Sequence, residues 1–381
     1  MRKMLAFEFK KMIYNKKNIC LMIILMIYLF VLFYMSVNLT KNFSTDAINH
    51  NKEQIVTLSE QVKIAENDLN NKDLDKATVE FIEKYISDTK DTISILELQN
   101  DTININPKEY WLLQSKLYSK MVEAPEGNLQ PDEMTNIKIV QNKIAILDKE
   151  NIEFEENIHD PIRAFPYFEK NVVFISSLIV LLIISLLIGD IMSKDYVDKS
   201  LYIYRNIVNK EKKILFSKLV VATIVPYVSF LICISIFFIV NGLVTGFGSF
   251  KYPVFYSGQG DHLIYDNMAV FGVKFIFVFL VILYMYSSLS ILLGILTKNV
   301  MLSTGLLSIL IITMDYLSNV PSVKEVLKYL PINYFGVYKI LSYDSIIGDR
   351  IIIVIGYLLI FCLFLNICNY YLLKNKKAWC F

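Results

Sequence analysis

Histidines, cysteines and paired carboxylates are the side chains that hold metals, attack carbonyls or shuttle protons, and their spacing in this chain assembles none of those devices. His50, His159 and His262 stand apart from one another and from the cysteines, so no metal site and no general base is built around them. There is no phosphate-binding GxxxxGKS or GxxxxGKT loop, no GxSxG turn and no HExxH helix. Gly242, Gly246, Gly248, Gly258 and Gly260 lie outside any strand-to-helix context that would make them a phosphate cradle. The expectation is a chain that is not an enzyme, carries no metal or cofactor and has no ATP-hydrolysing site of its own. If it moves anything uphill, a partner must supply the free energy.

Six long apolar runs explain why the chemistry is so sparse. Ile19 to Val37, Val172 to Ile188, Leu219 to Val240, Phe275 to Leu296, Val300 to Met314 and Ile351 to Leu373 are almost free of charge. A helix of about 20 apolar residues matches a hydrocarbon core ~30 Å thick, so each run reads as a membrane crossing. Composition agrees, with 55% hydrophobic residues in 381 and a mean hydropathy of +0.45. The first run follows a long basic leader and lacks a small-residue cleavage pattern, so it reads as an uncleaved anchor rather than a secretory signal. Asp190, Lys274 and Asp315 fall at predicted span ends, leaving no proton or ion relay of the kind secondary transporters need, although Asn366 and Asn369 remain in the last span. Cys20, Cys233, Cys362, Cys368 and Cys380 lie in spans or the tail, without a disulfide framework, a CxxC site or a prenylation box.

Positive charge sets the orientation, because cytoplasmic loops carry an excess of lysine and arginine. Arg2, Lys3, Lys10, Lys11, Lys16 and Lys17 precede the first run, a second basic group from Lys194 to Lys218 follows the second run, and Lys298, Lys374, Lys376 and Lys377 fall on the same side. Both termini are expected in the cytoplasm. The resulting order is an interfacial helix at 1–18, spans at 19–38 and 171–190 around an external domain at 39–170, and a cytoplasmic segment at 191–218. Further spans at 219–241, 269–297 and 299–317 follow, with an external loop at 242–268. An extracellular or re-entrant helical segment at 318–349, a last span at 350–373 and a cytoplasmic tail at 374–381 complete it. The fold class expected is all-α and polytopic, with an external coiled-coil-like helical domain.

That external domain is acidic. Residues 39–170 hold 25 acidic and 15 basic residues, a net charge of −10, while the remainder carries +12. Three series at helical spacing run through it: Ile55, Leu58, Val62, Ala65 and Leu69; Val79, Ile82, Ile86, Thr89, Ile93 and Leu96; and Ile137, Val140, Ile144 and Leu147. Asn70, Asn71 and Asp73, and later Ala124, Pro125, Glu126, Gly127 and Pro131, punctuate them, so a helical hairpin or short bundle is expected. Trp111, Leu112, Leu113, Leu117 and Tyr118 form its local core or, alternatively, an aromatic patch for a ligand. The negative field suits capture of a cationic peptide; a surface kept soluble by charge is the plainer alternative.

Two cytoplasmic segments are docking candidates. Leu5, Phe9, Met12 and Ile13 give the N-terminal segment an apolar stripe beside Lys3, Lys10, Lys11 and Lys17, suited to the headgroup layer or acting as a topology-fixing flank. In the loop after the second run, Val197, Leu201, Tyr204 and Val208 make a stripe that could seat in a partner's groove or rest on lipid. Further on, Val323, Val326, Leu327 and Leu330 lead to Pro331, and Asn333, Tyr334, Phe335 and Gly336 then break the pattern. Broken backbone at membrane depth needs cover from protein or water, which makes these residues a candidate external gate.

With its six spans, interfacial helix and second-span loop, the chain resembles the permease subunits of ABC-2 type ABC exporters, Gram-positive members with a large insertion between the first two spans in particular. Asp195, the helix around Leu201, the basic cluster Lys210, Lys212 and Lys213, and Lys218 before Leu219 follow the family's order. The glycine common after the acidic residue is replaced by Asp198-Lys199-Ser200, and the usual proline and arginine of the basic stretch by Ile207 to Lys210. The resemblance implies ATP and magnesium bound on separate cytoplasmic ABC ATPase subunits and a second permease copy or sister chain in the bilayer of a bacterial cell membrane. It implies export or expulsion of antimicrobial, bacteriocin-like peptides, with no nucleic-acid partner. It makes Asp195, Tyr196, Lys199, Leu201, Tyr204 and Arg205 the ATPase-coupling surface. The alternatives from other classes are a membrane receptor or immunity protein that binds a peptide without transport, and a scaffold of a secretion machine.

Overall fold

The computed structural model describes residues 2–70, 75–123, 131–201, 211–257, 263–318, 320, 330–334, 336–341 and 351–374. Nearly all of them are helical. In chain order the helices are α1 (Arg2–Ile13), α2 (Lys16–Leu69), α3 (Lys76–Thr102), α4 (Pro107–Glu123), α5 (Pro131–Lys149), α6 (Ala164–Ile175), α7 (Leu178–Ile188), α8 (Ser193–Val197) and α9 (Glu211–Thr245). Strands β1 (Pro253–Ser257) and β2 (Leu263–Asn267) come next, followed by α10 (Met268–Thr297) and α11 (Val300–Ser318). A 3-10 turn at Pro331–Tyr334, α12 (Val337–Leu341) and α13 (Ile351–Lys374) end the order.

Among the described residues, five helices are long and apolar enough to cross a membrane: Lys16–Leu69, Glu211–Thr245, Met268–Thr297, Val300–Leu317 and Ile351–Lys374. The count rises to six if Ala164–Ile175 and Leu178–Val197, which meet at 65°, make one broken span. These lengths and compositions are those of a multi-pass helical membrane protein.

The sequence pattern gave no warning of the break in the second apolar run. Ser176 turns its hydroxyl back onto the Val172 carbonyl at 2.7 Å, a bond that competes with the helical ladder and bends helices. Tyr28 of α2 fills the opening, with its hydroxyl 3.1 Å from both the Phe174 carbonyl and Ser177 Oγ. A second feature that the helical pattern leaves out is a short two-stranded sheet of β1 and β2 in an otherwise helical chain. Val254, Phe255 and Tyr256, and then Leu263, Ile264 and Tyr265, are the β-branched and aromatic residues that favour a pleat, and Gly258 and Gly260 in the sequence between them are turn formers. A third difference lies in α2, which is one 54-residue helix passing straight through positions 38 and 39. No glycine or proline interrupts it, so nothing local ends the helix where the hydrocarbon-like composition stops.

The chain divides into two compact units. One comprises residues 1–32, 171–244 and 256–381. Its centre is α10, apolar all round and buried at Val278, Phe279, Ile282, Leu283, Met285 and Tyr286. In hydrocarbon the hydrophobic effect does not hold helices together; close packing and polar contacts must do so. Both are present. Gly294 of α10 lies against Met192, and Gly189 lies against Thr304 of α11, each so close that a methyl group would collide. Ser290 donates to the Ile188 carbonyl at 2.7 Å and Ser303 to the Gly189 carbonyl at 2.8 Å, satisfying acceptors left over at the C-terminal end of α7. Asn369 of α13 donates to the Ser288 carbonyl at 3.0 Å and Asn366 to the Tyr284 hydroxyl at 2.8 Å. Phe230 of α9 meets Phe279 with ring centroids 4.1 Å apart, and Phe275 stacks on Phe279 one turn along.

The other unit comprises residues 33–170 and 245–255. Val62 and Ala65 of α2 pack on Ile86 of α3, with Leu69, Ile82 and Ile93 beside them. Asp75 caps α3 by accepting from the Thr78 amide. The Trp111 indole N–H donates to the carbonyls of Glu155 and Glu156 at 3.1 and 3.3 Å, fastening the segment after α5 to α4.

Candidate functional site

The buried row of α1 is Met4, Glu8 and Met12, spaced by four. The apolar stripe expected through Leu5, Phe9 and Ile13 is rotated: Leu5 and Phe9 are half-buried and Ile13 is exposed. A carboxylate in the middle of the buried row demands a partner, because removing an ion from water costs several kcal/mol unless it is paired and hydrogen-bonded. Lys218 of α9 provides it, 3.2 Å away, with side-chain exposures of 2% for Glu8 and 0% for Lys218.

Asp195 of α8, also 0% exposed, accepts from both Lys218 and Lys11 of α1. Lys218 makes its third bond to the Ile191 carbonyl at 3.1 Å, so all three ammonium donors are engaged. Two acids and two bases thus cancel within one site. Tyr196, Met192, Leu201, Ile214 and Ile295 surround it with apolar cover. A neighbouring pair, Lys17 and Asp190 at 2.7 Å, ties the start of α2 to the end of α7, and Lys17 also donates to the Leu186 carbonyl at 2.8 Å. Asn18 closes α1 by donating to the Met12 carbonyl at 2.9 Å. The arrangement is built of ion pairs and a backbone hydrogen bond. Its physical effect is to clamp α1, α8 and the first turns of α9 into one block.

The residues singled out from sequence divide accordingly. Asp195, Tyr196 and Leu201 come together in the interior of that block. Lys199 is exposed just beyond it, with a left-handed φ of 55°, and Val197 is 58% exposed. Tyr204 and Arg205 lie outside the described residues. Of the gate candidates, Pro331, Asn333 and Tyr334 share the 3-10 turn, where Tyr334 is buried edge-on to Tyr357 at 6.3 Å. Gly336 sits in the following bend, and Phe335 lies outside the described residues, as do Val323, Val326 and Leu327. Sequence reasoning passed over Glu8, and it placed Lys11 only on a polar face. The available signal was a lone carboxylate in the i, i+4, i+8 row of an otherwise apolar and basic helix.

The second unit holds a groove of about 540 Å³, lined by Phe43, Tyr110, Trp111, Tyr118, Gln114 and Asp46 among others. Under it runs a row of amides: Asn51 donates to Asn100 at 3.1 Å and Gln99 to Gln114 at 2.8 Å. Trp111 stacks on Phe43, with centroids 5.9 Å apart and planes 11° apart. Burial pushes the Tyr110 hydroxyl up to about 12, so it stays a hydrogen-bond donor throughout the physiological range. Among the described residues no group of three or more histidines, cysteines or carboxylates is placed to hold a metal ion.

Comparison with protein-family models, with curated proteins and with solved structures finds no match in any of the three.

Proposed function

We propose that this chain is the membrane-embedded permease subunit of an ATP-driven exporter of the ABC-2 type, powered by separate cytoplasmic ATPase subunits and working with a second permease chain. The observation that carries the reading is the buried Glu8–Lys218–Asp195–Lys11 cluster. A permease without its own ATPase must convert a push on a short cytoplasmic segment into movement of its spans. A clamp that joins α8 to α1 and α9 suits that task, because force applied at one member is not dissipated in side-chain slack. In this reading Val197 and Lys199 present the contact surface, and Asp195, Tyr196 and Leu201 are the buried anchors beneath it. Tyr204 and Arg205, which the resemblance assigns to the same surface, lie outside the described residues.

The reading includes six spans with the bent pair as one, both termini in the cytoplasm of a bacterial cell, and residues 39–170 outside. The acidic character of that segment supports a cationic, membrane-active peptide as the exported or expelled substrate. The turn at Pro331–Tyr334 supports an outer gate. The reading requires an ABC ATPase encoded beside this chain, and the test is coexpression with it. Cysteine placed at Val197 should cross-link to the ATPase in membranes, and Lys199→Glu should reduce ATPase stimulation by the permease several-fold. Labelling of the same cysteine from outside intact cells would defeat the proposal.

The groove beside Trp111 favours a second reading, a receptor or immunity protein that binds a peptide without moving it. In that case peptide resistance would survive Lys199→Glu and be lost on filling the groove at Gln114 with tryptophan.

A further inference from the structure

An apolar groove of about 440 Å³ opens between the first four or so turns of α2 and the middle of α9, within the size range of small-molecule sites, about 300–1,000 Å³. Ile19, Met22, Ile23, Met26, Ile27 and Phe30 form the α2 wall. Val225, Pro226, Ser229 and Cys233 form the α9 wall. From Ile19 to Phe30 the helix rises about 16 Å. That is close to half of a ~30 Å hydrocarbon core, the depth of a single leaflet. Methionines at 22 and 26 give the wall a flexible, polarizable surface that adapts to a chain without fixed shape.

The groove has a polar end. Asn18, buried at its mouth, spends its amide N–H on the Met12 carbonyl, and its Oδ1 has no hydrogen-bond partner. Such an acceptor costs about 1–3 kcal/mol unless a donor reaches it. Around this end the chain is basic: Lys10 and Lys16 are exposed, while Lys11 and Lys17 are engaged by Asp195 and Asp190. An occupant must therefore bring one leaflet-length apolar tail, a hydroxyl donor for Asn18 and a negative charge for Lys10 and Lys16.

We infer that the groove is a site for one anionic, glycerol-headed phospholipid, its tail along α2 and α9 and its headgroup hydroxyl on Asn18 Oδ1. The inference is independent of the transport reading. It makes the α1–α2 junction, the element clamped through Glu8 and Lys11, sensitive to the lipid composition of one leaflet.

Cys233 inside the groove and Cys20, exposed on α2, supply a paired reporter in the full-length protein. In detergent, phosphatidylglycerol should slow N-ethylmaleimide modification of Cys233 about tenfold relative to phosphatidylcholine of identical tails, the factor expected from one hydrogen bond with charge assistance, and leave Cys20 unchanged. Glycerol phosphate without a tail should give no protection. Native mass spectrometry should show one retained phosphatidylglycerol per chain, and Asn18→Leu should erase the preference between the two headgroups while still retaining a lipid. Equal protection by both lipids in the wild-type protein would overturn the inference without recourse to any variant. So would protection by glycerol phosphate alone, or an unchanged preference in Asn18→Leu.

Discussion

Glu8 and Lys218, 210 positions apart in sequence, meet at 3.2 Å with almost no solvent on either side chain. The pair joins the N-terminal helix to the helix that opens the third apolar run, and Asp195 and Lys11 complete the neutralisation. Charge balance, rather than any one bond, is what makes the site tolerable in a low-dielectric interior.

Lys218→Met should therefore cost about 3–5 kcal/mol, because two buried carboxylates are left facing Lys11 alone. Adding Glu8→Gln restores one acid to one base and should recover most of that loss. Thermal unfolding in detergent, followed by far-ultraviolet circular dichroism, measures both. A double variant as unstable as Lys218→Met would show that the two side chains are not coupled.

A second prediction concerns pH and the helical unit. Glu155 is 3% exposed, and burial pushes its carboxyl up to about 7, opposed by the nearby Arg163 guanidinium. A raised value in the folded state means that the fold binds a proton the unfolded chain releases. The stabilisation is complete below about 4.5 and is lost as pH rises through about 7. Raising the carboxyl from 4.5 to about 7 corresponds to ~3 kcal/mol at most. Glu155→Gln should flatten this dependence. The chain has two tryptophans, Trp111 and Trp379, and Trp111 bonds to the Glu155 carbonyl, so its emission in a Trp379→Phe background reports the transition. A profile unchanged by Glu155→Gln would assign the titration elsewhere.

Glycines separate two kinds of helix contact. A β-carbon on Gly294 would stand 2.8 Å from the Met192 side chain and 3.0 Å from the Ser193 backbone nitrogen, whereas at Gly305 nothing lies within 4 Å. Gly294→Ala should cost about 1–3 kcal/mol by forcing α10 away from the segment before α8. Gly305→Ala should be neutral or stabilising by up to ~1 kcal/mol, from helix propensity. Comparing unfolding midpoints of the two variants decides it.

Much of this architecture was legible before any coordinates. Apolar composition alone located Leu219 to Val240 within α9, Phe275 to Leu296 within α10 and Ile351 to Leu373 within α13, because hydropathy averages over a whole helix. The three helical series at 55–69, 79–96 and 137–147 fall within α2, α3 and α5 for a similar reason: a one-sided stripe repeats its signal every turn. What stayed hidden depends on single atoms. The bend at Ser176 follows from one hydroxyl turning inward, which apolar runs do not encode. Glu8 was illegible because its partner sits 210 residues away, and a local pattern cannot distinguish a solvated carboxylate from a buried one. The resemblance places Asp195 and Leu201 on a coupling surface, and spacing puts Leu201 on an apolar stripe, yet both are interior, since spacing fixes which residues share a face and not which face is covered.

The last prediction tests how α13 is held to α10. Asn366 donates to the Tyr284 hydroxyl at 2.8 Å and Asn369 to the Ser288 carbonyl at 3.0 Å, one turn apart on the same face of α13. Polar bonds between apolar helices contribute about 0.6 kcal/mol on average and up to ~2, because the separated helices also find partners. Asn369→Leu should therefore destabilise by about 1 kcal/mol, since the Ser288 carbonyl keeps its own helical bond and is not orphaned. Asn366→Leu should cost about the same, and combining it with Tyr284→Phe should cost less than the sum of the two single changes, because each removes the same bond. Strict additivity in that cycle would mean that the Asn366–Tyr284 bond contributes nothing to holding α13 on α10.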